Sequence, residues 1–368
     1  MANLSRPNHC GTCSLVPSYM FLLIAVAGGV LSGIVTTALA IRVLGRRAVL
    51  DVPNQRSSHA RPTVRGGGIG LAIGTLVALA IAHTDLVGSS AIALVIAGLS
   101  FGAIGFADDL TGALPATIRL ALQLVAAAAV VAVVWEHASH GILLATLIGA
   151  VATLWIVSFV NAFNFMDGIN GISCAETIVA GVVFGLLARH EHQLALEAGA
   201  LALVAGSIGF APFNFPTARM FLGDVGSYFA GAWLAVLVVI GLRGSIPAEA
   251  MMAPVALYVA DTGVTLARRV HRHEAWQQAH RQHTYQRLVD QGWSHTQTTG
   301  LVFALVTLCS VLGSVSLFGS VTGRVAADCG VAVLIAGYLV LPSLIEHRRS
   351  LPALGGRTSR TFRSGADR

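Results

Sequence analysis

Two aspartates side by side, Asp108 and Asp109, stand where one long apolar run ends and the next begins. Carboxylates are costly near hydrocarbon, so an adjacent pair there calls for a counter-charge, most simply a metal ion or a cationic side chain. Similar polar groups interrupt apolar sequence further on. Asn161, Asn164 and Asp167 recur every third residue in Asn161-Ala-Phe-Asn164-Phe-Met-Asp167-Gly-Ile-Asn170-Gly. If the helix persists to the glycine, all three share one face. Two amides and a carboxylate together suit a metal or a nucleotide; an inter-helix hydrogen-bonded cluster is the alternative. In Phe221-Leu-Gly223-Asp224-Val-Gly-Ser227 a single carboxylate sits among glycines just before a helix. Magnesium takes one or two protein carboxylates and leaves its other positions to water and substrate phosphates, which makes Asp224 the preferred metal ligand over a plain helix N-cap.

Two further segments are built for anions. Asp51-Val-Pro-Asn54-Gln-Arg-Ser-Ser-His59-Ala-Arg-Pro-Thr-Val-Arg65-Gly-Gly-Gly68 combines bidentate arginine forks with glycines that let backbone amides approach a phosphate. The same residues also fit a positively charged topology loop, and Gly66 to Gly70 lack the strand and spacing of a dinucleotide fingerprint. The segment His280-Arg281-Gln-His283-Thr-Tyr-Gln-Arg287 contains no cysteine, so its arginines favour phosphate contacts over zinc. Cys10 and Cys13 form a lone C-x-x-C without a second ligand pair, and zinc is not expected there either.

The elements that must position these groups follow from composition. With 55% apolar and 11% charged residues and a mean hydropathy of +0.74, the chain is an integral membrane protein. Runs long enough to cross roughly 30 Å of hydrocarbon predict about eleven helices, near 18–41, 67–83, 89–107, 117–135, 141–160, 172–189, 194–211, 226–242, 248–267, 298–318 and 325–345. The fold class is all-α, a polytopic transmembrane bundle with its active site in cytoplasmic loops. All 23 basic residues are arginine. They crowd the first loop, the loop after 267 and the C-terminal tail, and by the positive-inside rule that side is cytoplasmic. The expected layout is a short periplasmic N-terminus (1–17), a membrane-embedded domain (18–345) and a basic, unstructured cytoplasmic tail (346–368). The first helix is retained rather than cleaved, and Met20 is an alternative start. Asp51, Asp108, Asp109, Asp167 and Asp224 then all lie on the cytoplasmic side, where a soluble substrate arrives.

Together these loops resemble the polyprenyl-phosphate N-acetylhexosamine-1-phosphate transferase family, relatives of phospho-MurNAc-pentapeptide translocase. The resemblance covers residues 20 to 345 and rests on Asp51 to Gly68, Phe-Ala-Asp108-Asp109, Asn161 to Gly171, Phe221 to Ser227 and His280 to Leu288. It is closest to the bacterial branch that starts O-antigen and related surface glycans. It implies transfer of an N-acetylhexosamine-1-phosphate from a UDP-sugar to undecaprenyl phosphate at the inner-membrane face, with release of UMP and with Mg²⁺ (or Mn²⁺) as cofactor. Asp224 and Asn164 then resemble metal ligands, and Phe221 the ring that stacks on uracil. Asn161, Asp167 and Asn170 resemble nucleotide-sugar contacts, and His280, Arg281 and His283 diphosphate contacts. Asp51, Asn54, His59 and Arg65 match a lipid-phosphate or entrance loop. Asp108 and Asp109 resemble the essential pair, read as activating the lipid phosphate or as organising the metal. A phosphate monoester is already mostly ionised at pH 7, with a second pKa of about 6, so a general base is less needed. Asn170 departs from the family, where many relatives carry a second aspartate. Asp261 is expected to serve an intramembrane ion pair or the site. Membrane lipids are the other partners, a homodimer stays open, and no nucleic acid is expected. An organic-anion transporter and phospho-MurNAc-pentapeptide transfer are the alternatives.

Overall fold

The computed structural model of the chain describes residues 15–47, 50–51, 62–82, 88–112, 114–135, 141–274 and 281–350. Among them ten helical segments are long and apolar enough to cross a membrane, and a shorter apolar helix accompanies them. The chain is a polytopic helical membrane protein, as expected, and each predicted span finds its helix. In order these are α1 (Leu15–Arg46), the short α2 (Gly68–Ala82), α3 (Ser89–Thr111), α4 (Ala116–Val134), α5 (Ile142–Met166), α6 (Ile172–His190), α7 (Leu194–Asn214) and α8 (Gly223–Arg243). Then follow α9 (Ala248–Met252), α10 (Ala256–His271), α11 (Thr284–Asp290), α12 (His295–Ser314) and α13 (Val321–Ser350).

Helix α8 forms the buried axis, packed against α3 and α5, while α1, α2 and α7 make a tight neighbouring group. Small residues allow this closeness: Gly29 and Gly33 of α1 lie against Gly74 of α2 and Gly206 and Gly209 of α7, the small-residue packing used where lipid gives no hydrophobic push between helices. Large apolar side chains such as Leu23, Val125, Leu143 and Val333 point outward, as lipid-facing groups must.

Several helix ends differ from the prediction, each for a local reason. Helix α3 does not stop before Asp108; it continues through the aspartate pair and ends at Gly112, whose left-handed φ of 75° terminates it. Asp108 and Asp109 are therefore last-turn residues, not loop residues. Helix α5 runs on to Met166, which places Asn161 and Asn164 on a helix. The ninth span is broken into α9, a 3-10 turn at Ala253–Val255 and α10, because Pro254 has no N–H for the helical ladder and its ring displaces the preceding turn.

A small sheet adds to the helices. Strands β1 (Leu50–Asp51) and β2 (Thr63–Arg65) pair antiparallel, and β2 pairs parallel with β3 (Met220–Phe221), with Arg65 opposite Phe221. Gly67 N–H then donates to Phe221 C=O at 2.8 Å and Gly68 N–H to Leu222 C=O at 2.8 Å. This stitching carries Arg65 to the start of α8.

Candidate active site

The start of α8 lacks a cap of its own: its N-cap residue, Leu222, has no side-chain acceptor, and Gly223 turns the chain with φ of 75°. The first amides of a helix need acceptors, and Asp109 of α3 supplies them. Its Oδ1 accepts from Asp224 N–H at 3.0 Å and its Oδ2 from Val225 N–H at 3.0 Å. Arg65 Nε closes the arrangement 2.7 Å from Asp109 Oδ1. Asp109 is thus a helix cap delivered from another helix, favoured by the positive end of the α8 dipole. Gly105, one turn earlier in α3, lies directly on the Asp224 backbone, where a Cβ would collide.

Asp108 faces a different way. Its Oδ2 accepts from Arg119 Nη1 at 2.6 Å and its Oδ1 from Leu114 N–H at 2.8 Å. Asp224 in turn takes Arg65 Nη2 at 2.9 Å and Asn164 Nδ2 at 3.1 Å on Oδ1. Asn164 shares its amide with Ser227 Oγ at 3.1 Å. Helices α3, α4, α5 and α8 and strand β2 therefore meet at one cluster of three carboxylates, two arginines and one amide.

Asp167, just past α5, accepts from Ser173 Oγ at 2.6 Å. Burial pushes its carboxyl from an ordinary 3.8 up to about 7; the Ser173 hydrogen bond opposes the rise and the charge of Asp224 adds to it. Asn170 uses its amide to donate to Pro216 C=O at 3.1 Å. A carboxylate in the same position could not donate this bond. Phe221 extends from β3, opposite Arg65.

The remaining expected residues scatter. Asn161 turns to the helix interior, donating to Gln123 Oε1 at 2.7 Å and to Val157 C=O at 2.8 Å. Asn161, Asn164 and Asp167 each bond a different side chain: Gln123, Asp224 and Ser173. Arg281 pairs with Asp290 at 2.6 Å. His283 is buried, with Nδ1 3.3 Å from Asp261 Oδ1 and its ring stacked near Phe165 and Tyr285. Asp261 thus meets His283, Thr265, Thr284 and Tyr338; Arg268 is not among its partners. Asn54, His59 and His280 lie outside the described residues, as do Cys10, Cys13 and the tail beyond 350, and Asp51 is described only as the end of β1. Sequence reasoning passed over Arg119, Ser227 and Tyr285. Arg119 had a signal: it is a single charge at the start of an otherwise apolar run.

The cluster fits a hard divalent cation. Three carboxylates, Asp108, Asp109 and Asp224, gather here with Arg65 and Arg119 between them, and like charges so close favour an added cation. The donors are oxygens, the ligand class of magnesium and manganese. Among the described residues no three His, Cys, Asp or Glu side chains are arranged to hold a metal by themselves.

Residues 91–242, which contain this cluster apart from Arg65, match the family Glycosyl transferase family 4. The chain is 23% identical to a probable undecaprenyl-phosphate N-acetylglucosaminyl 1-phosphate transferase of Bacillus subtilis (strain 168), over 79% of this chain and 83% of that protein. It is 26% identical to the decaprenyl-phosphate N-acetylglucosaminephosphotransferase of Mycobacterium leprae (strain TN), over 90% and 92%. A phospho-N-acetylmuramoyl-pentapeptide-transferase of Streptococcus pyogenes serotype M12 (strain MGAS2096) is 30% identical over 53% and 64%. The kinship expected from the motifs is borne out: residues 91–242 match that family's model, and the chain is similar to these transferases over much of its length. That family depends in general on a divalent metal.

Proposed function

We propose that the chain transfers an N-acetylhexosamine-1-phosphate from a UDP-sugar to undecaprenyl phosphate, at the cytoplasmic face of a bacterial inner membrane, as the first step of a surface glycan. The observation that carries this reading is the convergence of Asp108, Asp109 and Asp224 with Arg65 and Arg119 at the ends of four helices. The names of the relatives support it: two act on a polyprenyl phosphate and N-acetylglucosamine phosphate.

In the proposed reaction an oxygen of the lipid phosphate forms a bond to the β-phosphorus of the UDP-sugar. The bond from that phosphorus to the bridging oxygen breaks, and the oxygen leaves with UMP. Two anions must be brought together; one unit-charge pair at 4 Å costs about 4 kcal/mol at an effective dielectric near 20. Asp224 would hold a magnesium ion, which when bound would supply offsetting charge to the phosphates. Asn164 and Arg65 orient the Asp224 carboxylate, and Asp109 fixes the α8 turn that carries it. Arg119 sits beside the outward-facing Ile118, Leu120 and Leu122 with a third of its side chain exposed. It is placed to meet a phosphate whose lipid tail lies along α4. Asp167 and Phe221 take the nucleotide-sugar side, and Arg281 the diphosphate. Because the acceptor phosphate is already largely ionised, Asp108 serves to hold Arg119 rather than to remove a proton.

The test is UMP release by the purified full chain with undecaprenyl phosphate, a panel of UDP-sugars that includes UDP-N-acetylglucosamine and UDP-MurNAc-pentapeptide, and Mg²⁺ or EDTA. Release with an N-acetylhexosamine donor, lost in EDTA, is expected. No release with any donor would overturn the reading.

A further inference from the structure

Helix α11 is tied down from both sides, and its ties lead to the donor side of the site. Asp261, fully buried in α10, accepts the Thr284 N–H with both carboxylate oxygens at 3.1 Å, and takes the Tyr338 hydroxyl of α13 at 2.8 Å and the Thr265 hydroxyl at 3.2 Å. These bonds fix the first residue of α11. The next residue, Tyr285, is completely buried and reaches across to α5, where its hydroxyl donates to Phe165 C=O at 2.9 Å. Phe165 lies in the last turn of α5, where carbonyls have no helical partner. The same tyrosine ring is seated against Gly168, where any Cβ would strike its hydroxyl. Tyr285 therefore grips the backbone on both sides of Asp167, and one residue from Asn164.

We propose that Tyr285 is a positioning residue for the nucleotide-sugar donor: seated by Asp261, it sets the end of α5 so that Asn164 and Asp167 meet the donor in register. This rests on the reaction proposed above. Tyr285 itself touches no reacting atom. The hydroxyl is an interaction that the sequence motif does not announce, since the segment draws attention to its histidines, and His283 is buried here as packing beside it.

The experiment compares the full-length wild type with Y285F in detergent or nanodiscs. Steady-state UMP release is measured against UDP-N-acetylglucosamine and against undecaprenyl phosphate, with UDP-N-acetylglucosamine binding followed by calorimetry and unfolding by Tm. The expected result is a KM and Kd for the UDP-sugar raised about fivefold, the scale of one lost hydrogen bond. The KM for undecaprenyl phosphate should stay within about twofold and the Tm within a few degrees. G168A supplies a second reading: it should show the same donor defect, and the defect should be smaller in the Y285F background, where the colliding oxygen is gone. An active wild type whose donor KM is unmoved by Y285F, or whose two KM values rise together with a fall in Tm, would overturn the positioning role alone. A wild type that neither binds UDP-N-acetylglucosamine nor releases UMP would overturn the proposed function and this inference with it.

Discussion

Asp109 and Asp224 are both acidic and both partly buried beside one arginine, yet the structure gives them different work. Asp109 spends both oxygens on backbone amides of α8 and on Arg65, whereas the Asp224 carboxylate takes only side chains, those of Asn164 and Arg65. Asp109→Asn places an NH₂ against an N–H donor, so stability should fall by about 1–3 kcal/mol, read as a lower Tm in detergent, and activity falls with it. Asp224→Asn should leave the Tm near wild type and cut kcat by about a hundredfold or more, as loss of a charge-stabilising group does. An Asp109→Asn protein with unchanged Tm would remove the capping role. Asp167 adds a pH signature. Its folded pKa of about 7 lies above the ordinary 3.8, so between those values the folded state holds a proton that the unfolded state has released. Stability from this group is complete below pH 4 and declines as pH rises through 7. In EDTA and without substrate, wild-type stability should fall between pH 5 and 7 by on the order of 1 kcal/mol per pH unit, read as a declining Tm, and Asp167→Asn should flatten that decline. Parallel slopes for the two proteins would refute it.

The elements transmit these placements through very close helix packing. Gly105 of α3 abuts the backbone of Asp224, while Gly102, one turn away, has its nearest neighbour, Phe229, at 3.5 Å, an ordinary contact. Gly105→Ala should therefore push the end of α3 off the start of α8, separate Asp109 from the amides it caps, and cost about 1–3 kcal/mol with a marked loss of UMP release. Gly102→Ala should leave both close to wild type. Equal effects from the two would mean that the α3–α8 spacing does not set the site. At this scale the sequence was a partial guide. The helices were legible because lipid forces long apolar runs, and their existence needed no tertiary information. Where they end was less so: Asp108 and Asp109 looked like a loop because charge usually marks a membrane edge, but a helix stops where its backbone can turn, and that was Gly112. Strands of two and three residues carry no periodicity to read, so the sheet that brings Arg65 to Phe221 was invisible. The capping of α8 by Asp109 was equally hidden, since it joins residues 115 apart in the chain.

At the scale of the whole molecule, the ends of α3 and α5 and the starts of α4 and α8 gather on one face of the bundle, and the carboxylates found there were legible because charge is rare in an apolar chain. Which partner each would choose was not: a lone charge at the start of α4 and a tyrosine set among histidines and arginines do not say which group they will bond. The arginines lie on the same face: Arg42, Arg46 and Arg47 end α1, and Arg268, Arg269 and Arg272 close α10. The positive-inside rule expects this face to be cytoplasmic, the orientation that the proposed reaction with a nucleotide sugar would require. The turn between α8 and α9 must then face the periplasm. In a variant lacking the native cysteines, Ser245→Cys should react with a membrane-impermeant maleimide in intact cells, while Arg272→Cys should react only after the membrane is opened. Labelling of Arg272→Cys in intact cells would reverse the orientation. It would also place the acidic cluster on the side where nucleotide sugars are absent, so this one measurement tests the topology and the proposed donor class together.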